Sequence, residues 1–353
     1  MDRPRLQTLV VELTQDCDHS CRHCYNYWTH PGWRSAPPPV DGNVLPLLAH
    51  VLDQVDCSHV TLTGGEPLLR ADLVDIVRAL AERDLRVNLI TNGHRLAESL
   101  LGGLVGAGVS LFELPLLSHR REVHDAMSGR PGAFDAVLEA LARIRLHRVR
   151  AVAVFVATQH NIRDLPEALK LARAFGANAV MLNRFNPGGR GAAHLNELLP
   201  TVDEMRWALE VANDSVRELG LPVSCSIPIQ PCLIDVRAYP NLSAGYCAAG
   251  TSGAYYTLDT AGNVRPCNHS PTVLGNVWEE PFGEIVHSSC LARFKAARPA
   301  FCEACAVREE CQGGCKASAE VCYGDLCAEE PFLRRGPKRA RLLPSTNSSR
   351  LHE

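Results

Sequence analysis

The sequence predicts an α/β fold built on a parallel sheet, followed by a second region rich in cysteine. Through the first half of the chain, short aliphatic and β-branched runs alternate with amphipathic stretches, which is the pattern of βαβ units. From Ser224 onward the helical patterns fade and cysteines become frequent. The 353 residues, 46% of them hydrophobic and 21% charged, suffice for about two or three packed units of an ordinary globular protein.

Six segments have the composition of buried strands, and amphipathic stretches lie between them. In the stretch from Asp72 to Arg83, for example, Leu73, Ile76, Val77 and Leu80 share one helical face. The predicted strands are residues 8–13, 58–63, 86–91, 109–115, 150–157 and 178–185, and the clearest helices are 72–83, 133–144 and 165–175.

Three cysteines follow directly after the first predicted strand. Cys17, Cys21 and Cys24 form a C-x3-C-x2-C loop, which supplies three thiolates. A four-iron cluster usually takes four thiolates, so three would leave one iron open to another molecule. The alternative is a zinc site, for which His19 or His23 could provide the fourth ligand.

A glycine-rich turn follows the second predicted strand. It consists of Gly64, Gly65, Glu66 and Pro67, and two adjacent glycines let backbone approach a ligand closely. Taken alone, this sequence is also an ordinary turn. Its position about forty residues after the cysteine loop, again at a strand end, favours a functional interpretation.

The cysteine loop, the aromatic Tyr25 next to it and the Gly64-to-Pro67 turn resemble the radical S-adenosylmethionine enzymes. The resemblance implies a partial (β/α)6 TIM-like barrel over residues 1–191, open at one side. It also implies a 4Fe-4S cluster whose open iron binds the methionine part of S-adenosylmethionine. One electron from the cluster cleaves this cofactor to a 5′-deoxyadenosyl radical, which takes a hydrogen atom from the substrate.

The resemblance assigns roles to particular residues. Cys17, Cys21 and Cys24 become catalytic cluster ligands. The expected cofactor-binding residues are Tyr25, Gly64, Gly65, Glu66, Pro67, Asn92 and Arg184.

Three of the strand-end residues also have other interpretations. Asn92 and Arg184 follow the third and sixth strands, and a helix cap and a loop-ordering arginine are the respective alternatives. Glu113 lies among apolar residues of the fourth strand. It is interpreted either as a contact for cofactor or substrate or as an acid that faces solvent.

The cysteine spacing of the second region resembles the SPASM domain, a C-terminal extension of many radical enzymes. The pattern is Cys247-x14-Gly262-x4-Cys267, a gap, and then Cys302-x2-Cys305-x5-Cys311-x3-Cys315. The resemblance implies two auxiliary 4Fe-4S clusters. Auxiliary cluster I would take Cys247, Cys267 and Cys315. Auxiliary cluster II would take Cys302, Cys305, Cys311 and one late cysteine.

The fourth ligands depart from the family pattern. For auxiliary cluster II we expect Cys327 in preference to Cys322. The stretch from Cys315 to Cys327 is the longer of the two, and its length is closer to the gap that precedes the last ligand in family members. Auxiliary cluster I is either open or served by Cys290 or Cys232. A four-thiolate zinc site is the alternative for residues 302–315. Cys57 and Cys225 fit no motif and are predicted to be core thiols.

The remaining domain boundaries follow from composition. Residues 192–222 are predicted to form a helical connector, and residues 223–333 are predicted to form the SPASM domain. The polar, basic residues 334–353 read as a disordered tail, with the binding of an acidic leader peptide as an alternative role.

Charge and hydropathy restrict the classes of partner. A net charge of −3 gives no nucleic-acid signature. No apolar run approaches the roughly 20 residues that span a bilayer, and the N-terminus lacks the build of a signal peptide. We therefore expect a cytoplasmic protein without nucleic-acid or membrane partners. Fifteen cysteines in such a protein indicate metal ligation rather than disulfides.

The resemblance implies several partners. The expected substrate is a ribosomally synthesised precursor peptide, and the alternative is a sugar, nucleoside or other small molecule of an antibiotic pathway. A reductant such as flavodoxin or ferredoxin would supply electrons. Because only sixteen residues precede Cys17, we expect any leader peptide to be bound by a separate protein. The alternative from a different functional class is a non-enzymatic iron-sulfur protein that transfers electrons.

Overall fold

The computed structural model describes residues 3–32, 43–251 and 253–336. Within these residues, eleven strands form one sheet in the order β11-β10-β9-β1-β2-β3-β4-β5-β6-β7-β8. The strands are β1 (Arg5–Glu12), β2 (Asp56–Thr63), β3 (Arg86–Ile90), β4 (Val109–Pro115), β5 (Arg150–Ala157), β6 (Ala179–Arg184), β7 (Val223–Cys225), β8 (Leu242–Ala244), β9 (Tyr256–Asp259), β10 (Asn263–Arg265) and β11 (Gly275–Asn276).

Helices connect the strands in the order expected of βαβ units. The longest, Val202–Leu219, begins with a capping box between Thr201 and Glu204. The helices are α1 (Leu45–Leu52), α2 (Leu73–Ala81), α3 (Glu98–Ala107), α4 (Arg121–Ser128), α5 (Ala133–Leu146), α6 (Leu165–Phe175), α7 (Gly189–Ala193), α8 (Leu195–Leu198), α9 (Val202–Leu219), α10 (Phe282–Ile285), α11 (Ser289–Ala296), α12 (Arg308–Cys311), α13 (Lys316–Tyr323) and α14 (Pro331–Arg334).

The six predicted strands are confirmed as β1 to β6. Each pairs in parallel with the next along the chain, so the α/β fold with a partial barrel is correct. Side chains alternate across the sheet. One face carries fully buried residues such as Leu62 and Phe112, which belong to the main hydrophobic core. We call the opposite face, which carries Thr61, Glu113 and Met181, the inner face.

The C-terminal region extends the sheet at both edges of the barrel. β7 pairs with β6 and is followed by β8, while β9 pairs in parallel with β1 and continues through β10 and β11. The predicted boundary at residue 223 therefore falls at β7 inside a continuous sheet. The division into 1–191, 192–222 and 223–333 remains a prediction. Of the predicted tail, residues 337–353 lie outside the described residues.

Two buried arginines pair with acids across these edges. Arg184 at the end of β6 pairs with Glu330, and its Nε donates to the Pro228 carbonyl over 2.9 Å. Arg265 of β10 pairs with Glu12 of β1. Neither guanidinium is exposed. Since an unpaired buried charge is very costly, both pairs must form whenever the C-terminal region packs on the barrel.

In the described part of the chain, no helix combines the length and the apolar character needed to cross a membrane.

We predict that breaking one partner of the Arg184–Glu330 pair destabilises the protein by about 3 to 5 kcal/mol, because the other charge stays buried without compensation. Arg184→Met is the test, measured by denaturant unfolding of the anaerobic protein. The double change with Glu330→Leu should recover part of the loss. Arg78→Ala, which breaks an exposed pair with Asp75, should change stability little. An Arg184→Met protein as stable as the parent would contradict this role of the pair.

Candidate active site

The three cysteines of the first loop follow the C-terminal end of β1. Burial raises the pKa of Cys17 to about 11, with further contributions from Glu66 and Cys24. Burial also raises the pKa of Cys21 well above its ordinary value, and Cys24 and Cys17 are its next causes. The thiols are thus close enough to act on one another. They would bind a metal as thiolates, releasing their protons on binding.

The turn after β2 packs directly against the start of this loop. Gly65 N–H donates to Thr14 O and Glu66 N–H to Asp16 O, both over 2.7 Å. A Cβ on Gly65 would collide with the Asp16 carbonyl. Gly64 has a φ of +130° and faces Thr14 O in the same way. The sequence predicted close backbone approach here, and the backbone that approaches is that of the cysteine loop.

A second glycine-rich loop, which follows β6, packs against the other end of the cysteine loop. Gly191 N–H donates to Cys24 O over 2.9 Å. A Cβ on Gly188 would lie 2.7 Å from Tyr25 O, and one on Gly189 would collide with Asn26 O. Sequence reasoning did not assign these glycines. The run from Asn186 to Gly191 was the available signal.

Glu66 is buried and holds the turn after β2 to the end of β3. One carboxylate oxygen accepts from Leu68 N–H (3.0 Å) and from the Thr91 hydroxyl (2.6 Å), and the other accepts from Asn92 N–H (2.7 Å). Burial raises the pKa of Glu66 to about 7. The three donors orient the carboxylate beside the cysteine loop.

Asn92 also supports the cysteine loop from β3. Its side-chain amide donates to Asp18 Oδ1 over 2.8 Å, and its carbonyl oxygen accepts from His94 N–H. Arg95 pairs with the same Asp18 over 3.0 Å. The side chain of Asn92 thus positions a residue next to Cys17, which is a structural role alongside the predicted cofactor contact.

Arg184 does not face the cysteine loop. In the strand it shares the helix-covered face with Val180 and Leu182, which are buried like it. Its guanidinium contacts Glu330, Pro228 O and the ring of Phe332. We correct the expected cofactor contact accordingly: strand alternation directs Arg184 toward the C-terminal region, and the loop-ordering alternative fits its contacts.

Tyr25 connects the cysteine loop to the cysteine-rich region. Its hydroxyl accepts from Asn268 Nδ2 over 3.0 Å, and its ring packs on His269 at a centroid distance of 4.1 Å. Burial raises its pKa. The Tyr255 hydroxyl donates to Asn268 Oδ1 over 3.0 Å, so both tyrosines meet at the segment following Cys267.

Cys247, Cys267 and Cys315 lie together, as expected for auxiliary cluster I. Burial raises the pKa of Cys267 to about 12, and Cys315 and Cys247 are the next causes. Asn186, from the loop after β6, donates to Cys315 Sγ over 3.3 Å. The same amide nitrogen is 3.2 Å from His269 Nδ1. One asparagine thus joins this group to the ring that packs on Tyr25.

Cys302, Cys305 and Cys311, the three clustered cysteines predicted for auxiliary cluster II, line one cavity. Cys327 does not line it. Cys327 is exposed, and its N–H donates to Asp325 Oδ1 within its own turn. We therefore correct the expectation of Cys327 as the fourth ligand: the short turn after α13 holds this cysteine at the surface. Cys225 is buried in the core and Cys57 packs against it, as predicted for core thiols.

The arrangement of these thiols bears on the zinc alternatives. A single zinc ion needs four ligands about 2.0 to 2.3 Å from one point. Among the residues that the structure describes, no group of three or more His, Cys, Asp or Glu side chains is placed to hold one metal ion. In a 4Fe-4S cluster each thiolate binds its own iron, so its ligands need not converge on one point.

Glu113 lies on the inner face within apolar surroundings. Ile90 and Val152 are its partners on the two neighbouring strands. Burial raises its pKa to about 7, and the described residues offer it no hydrogen-bond or ionic partner. At neutral pH such a carboxyl can either donate or accept a hydrogen bond. This supports the interpretation as a ligand contact over the solvent-facing one.

Comparisons with known families agree with this geometry. A model of the radical SAM superfamily matches residues 11–172, and the SPASM model, an iron-sulfur cluster-binding domain, matches residues 247–312. The chain belongs to the radical SAM superfamily and carries a SPASM domain. It is accordingly a radical SAM enzyme that uses 4Fe-4S and S-adenosylmethionine, so the hypothesis of a simple electron-transfer protein is set aside.

Individual relatives span nearly the whole chain. The AdoMet-dependent heme synthase of Methanosarcina barkeri is 28% identical over 93% of this chain and 96% of its own length. The PqqA peptide cyclase of Xanthomonas euvesicatoria pv. vesicatoria is 24% identical over 95% and 89%. The crystal structure of Streptococcus suis SuiB bound to precursor peptide SuiA has a TM-score of 0.69 at 15% identity, covering 94% of this chain and 75% of SuiB.

We predict that Gly65→Ala separates the turn after β2 from the cysteine loop, because the new Cβ meets backbone that cannot move aside. The overpacking should cost about 1 to 3 kcal/mol, and iron loading and cofactor cleavage should fall together. Gly106→Ala is the control: it lies within α3 with no atom within 4 Å of the added Cβ, and it should be neutral or slightly stabilising. Normal iron loading by Gly65→Ala would refute the contact.

We also predict that Asn186→Leu lowers the reduction potential of auxiliary cluster I, since a hydrogen bond to a ligating sulfur stabilises the reduced cluster. The shift should reach at most about 60 mV, because a hydrogen bond contributes about 0.5 to 1.5 kcal/mol and 59 mV corresponds to about 1.4 kcal/mol per electron. An EPR-monitored redox titration measures it, with the other clusters as internal controls. An unchanged potential would exclude the contact with Cys315.

Proposed function

We propose that this enzyme modifies a ribosomally synthesised peptide by hydrogen-atom abstraction. The observation that carries the radical chemistry is the three-thiol loop held against the turn of Gly64 to Pro67. When bound, the cluster and S-adenosylmethionine supply the reactive radical. The roles that follow concern the residues of the chain itself.

The first set of residues binds and orients. Cys17, Cys21 and Cys24 would hold the first cluster through three thiolates, which leaves one iron for the cofactor. The backbone of Gly64 to Pro67 lies beside this loop, and Glu66 presents an oriented carboxylate there. A carboxylate with three fixed donors still has acceptor capacity, so the methionine ammonium remains its proposed partner. Tyr25 borders the same site on the side of auxiliary cluster I.

The inner face is the proposed substrate surface. It continues from the strand ends that carry the cysteine loop, and its centre holds Glu113 among Ile90 and Val152. Because Ile90 and Val152 flank Glu113, this part of the inner face suits a substrate that combines apolar groups with a hydrogen-bond donor. A peptide side chain with its amide N–H has this composition.

Peptide modification is supported by two of the comparisons. One relative is named as a peptide cyclase, and SuiB shares the fold and binds a precursor peptide. A small-molecule substrate is the second candidate, supported by the heme synthase relative, which has the higher identity. The proposal also includes a cytoplasmic location, a flavodoxin or ferredoxin as reductant, and a separate leader-binding protein.

The substrate class can be tested without knowing the substrate. Reconstituted enzyme with S-adenosylmethionine and dithionite is given a small-molecular-weight fraction of the source cells, with or without prior protease treatment. We expect the fraction to stimulate 5′-deoxyadenosine formation and protease treatment to abolish the stimulation. Stimulation that survives protease would establish the small-molecule alternative.

We predict about twelve irons in each reconstituted chain, four for each of three clusters. Changing Cys17, Cys21 and Cys24 together to Ala should leave about eight and abolish cofactor cleavage, because the auxiliary clusters use other cysteines. Iron and sulfide analysis and 5′-deoxyadenosine formation are the measurements. About four irons accompanied by zinc in the parent protein would contradict the auxiliary clusters.

For Glu66 we predict that Glu66→Gln weakens S-adenosylmethionine binding roughly ten- to a hundredfold, through loss of a charge-assisted hydrogen bond worth about 1.5 to 3 kcal/mol. Thr91→Val is the matched control, since it removes one donor to Glu66 but keeps the carboxylate. Its affinity should fall much less. Equal affinity losses in the two variants would mean that Glu66 only fastens the turn to β3.

A further inference from the structure

We infer that Cys232 is the fourth protein ligand of auxiliary cluster II. This inference rests on the proposed auxiliary clusters and adds the ligand that completes one of them. The sequence named Cys232 only as a candidate ligand of auxiliary cluster I, and this cysteine precedes the matched SPASM residues 247–312.

The first support is the cavity itself. Its lining contains four thiols, those of Cys232, Cys302, Cys305 and Cys311. The rest of the lining includes Arg308, Gln230, Phe301 and Leu333 but no further Cys and no His, Asp or Glu. Four thiolates around a mainly apolar cavity are the donor set that a 4Fe-4S cluster requires.

The backbone before Cys232 is fixed on both sides. Arg184 Nε donates to Pro228 O over 2.9 Å, and the Gln230 amide donates to the buried carboxylate of Glu330. Leu233 N–H and Ile234 N–H then turn back to Gln230 O over 2.9 and 3.1 Å. The turn lies between these anchors, so the thiol is presented to the cavity by a preorganised segment.

The later cysteines are placed differently. Cys327 is exposed. Cys322 lies on α13 and does not line the cavity. Instead Leu333 of α14 borders the cavity from the C-terminal side. A ligand from the segment after β7 therefore takes the place of a late cysteine.

The test compares Cys232→Ala with Cys327→Ala and Cys322→Ala in the full chain. Iron and sulfide are counted after anaerobic reconstitution, and the reduced clusters are recorded by EPR and Mössbauer spectroscopy. We expect Cys232→Ala to lose between one and four of about twelve irons together with one auxiliary signal. The other two variants should match the parent. Full iron content and unchanged spectra in Cys232→Ala would overturn the assignment, as would loss of that signal in Cys327→Ala or Cys322→Ala.

A second variant guards against misfolding. Cys232→Ser keeps the size of the side chain and replaces the thiolate by a poorer oxygen ligand, so it should alter the spectrum of one auxiliary cluster alone. An unaltered spectrum would overturn the assignment. Cofactor cleavage, which belongs to the first cluster, should persist in both Cys232 variants. A parent protein that binds no auxiliary cluster would refute the auxiliary clusters on which this inference rests, whereas a parent with both auxiliary clusters and neutral Cys232 variants refutes this inference alone.

Discussion

The site depends on one constraint: the backbone of the cysteine loop passes between two glycine-rich loops with no space for a Cβ. Gly65 meets Asp16 O on one side, and Gly189 meets Asn26 O on the other. Three thiolates must be held at fixed positions to bind a cluster. Ordering an unsupported loop in this way would cost too much conformational entropy. Packing between the ends of β2 and β6 removes this freedom. The Glu66 carboxylate then ties the first of these loops to β3.

The C-terminal region completes this arrangement. It adds strands to both edges of the barrel sheet, and each edge carries a buried arginine pair that orients the two parts. Buried pairs of this kind fix geometry more than they add stability. Because Arg184 also holds Pro228, the same pair positions the segment that carries Cys232. Tyr25 and Asn186 then connect the first loop with the thiols of auxiliary cluster I.

Much of the fold could be predicted from the sequence, because strand composition and helical periodicity are local signals. Predicted strands such as 109–115 coincide with β4. The cysteine loop and the Gly64-to-Pro67 turn were also found, since their residue types are dictated by ligand chemistry. Arg184 was misjudged because its partner Glu330 is distant in sequence and only the observed alternation in β6 shows which face it occupies. For auxiliary cluster II, Cys327 was favoured over Cys322, and Cys232 was named only for auxiliary cluster I. The reason is similar: spacing along the chain does not show which segments meet in space.

The central claim is that the loop of Cys17, Cys21 and Cys24 holds a cluster with one iron open to the cofactor. Electron-nuclear double resonance on the reduced, reconstituted enzyme with S-adenosylmethionine labelled with ¹⁵N at its amino group tests this directly. The account predicts a ¹⁵N coupling large enough for direct coordination to the cluster, lost when these three cysteines are changed to Ala. Absence of the coupling in enzyme that retains the first cluster and binds the cofactor would contradict it.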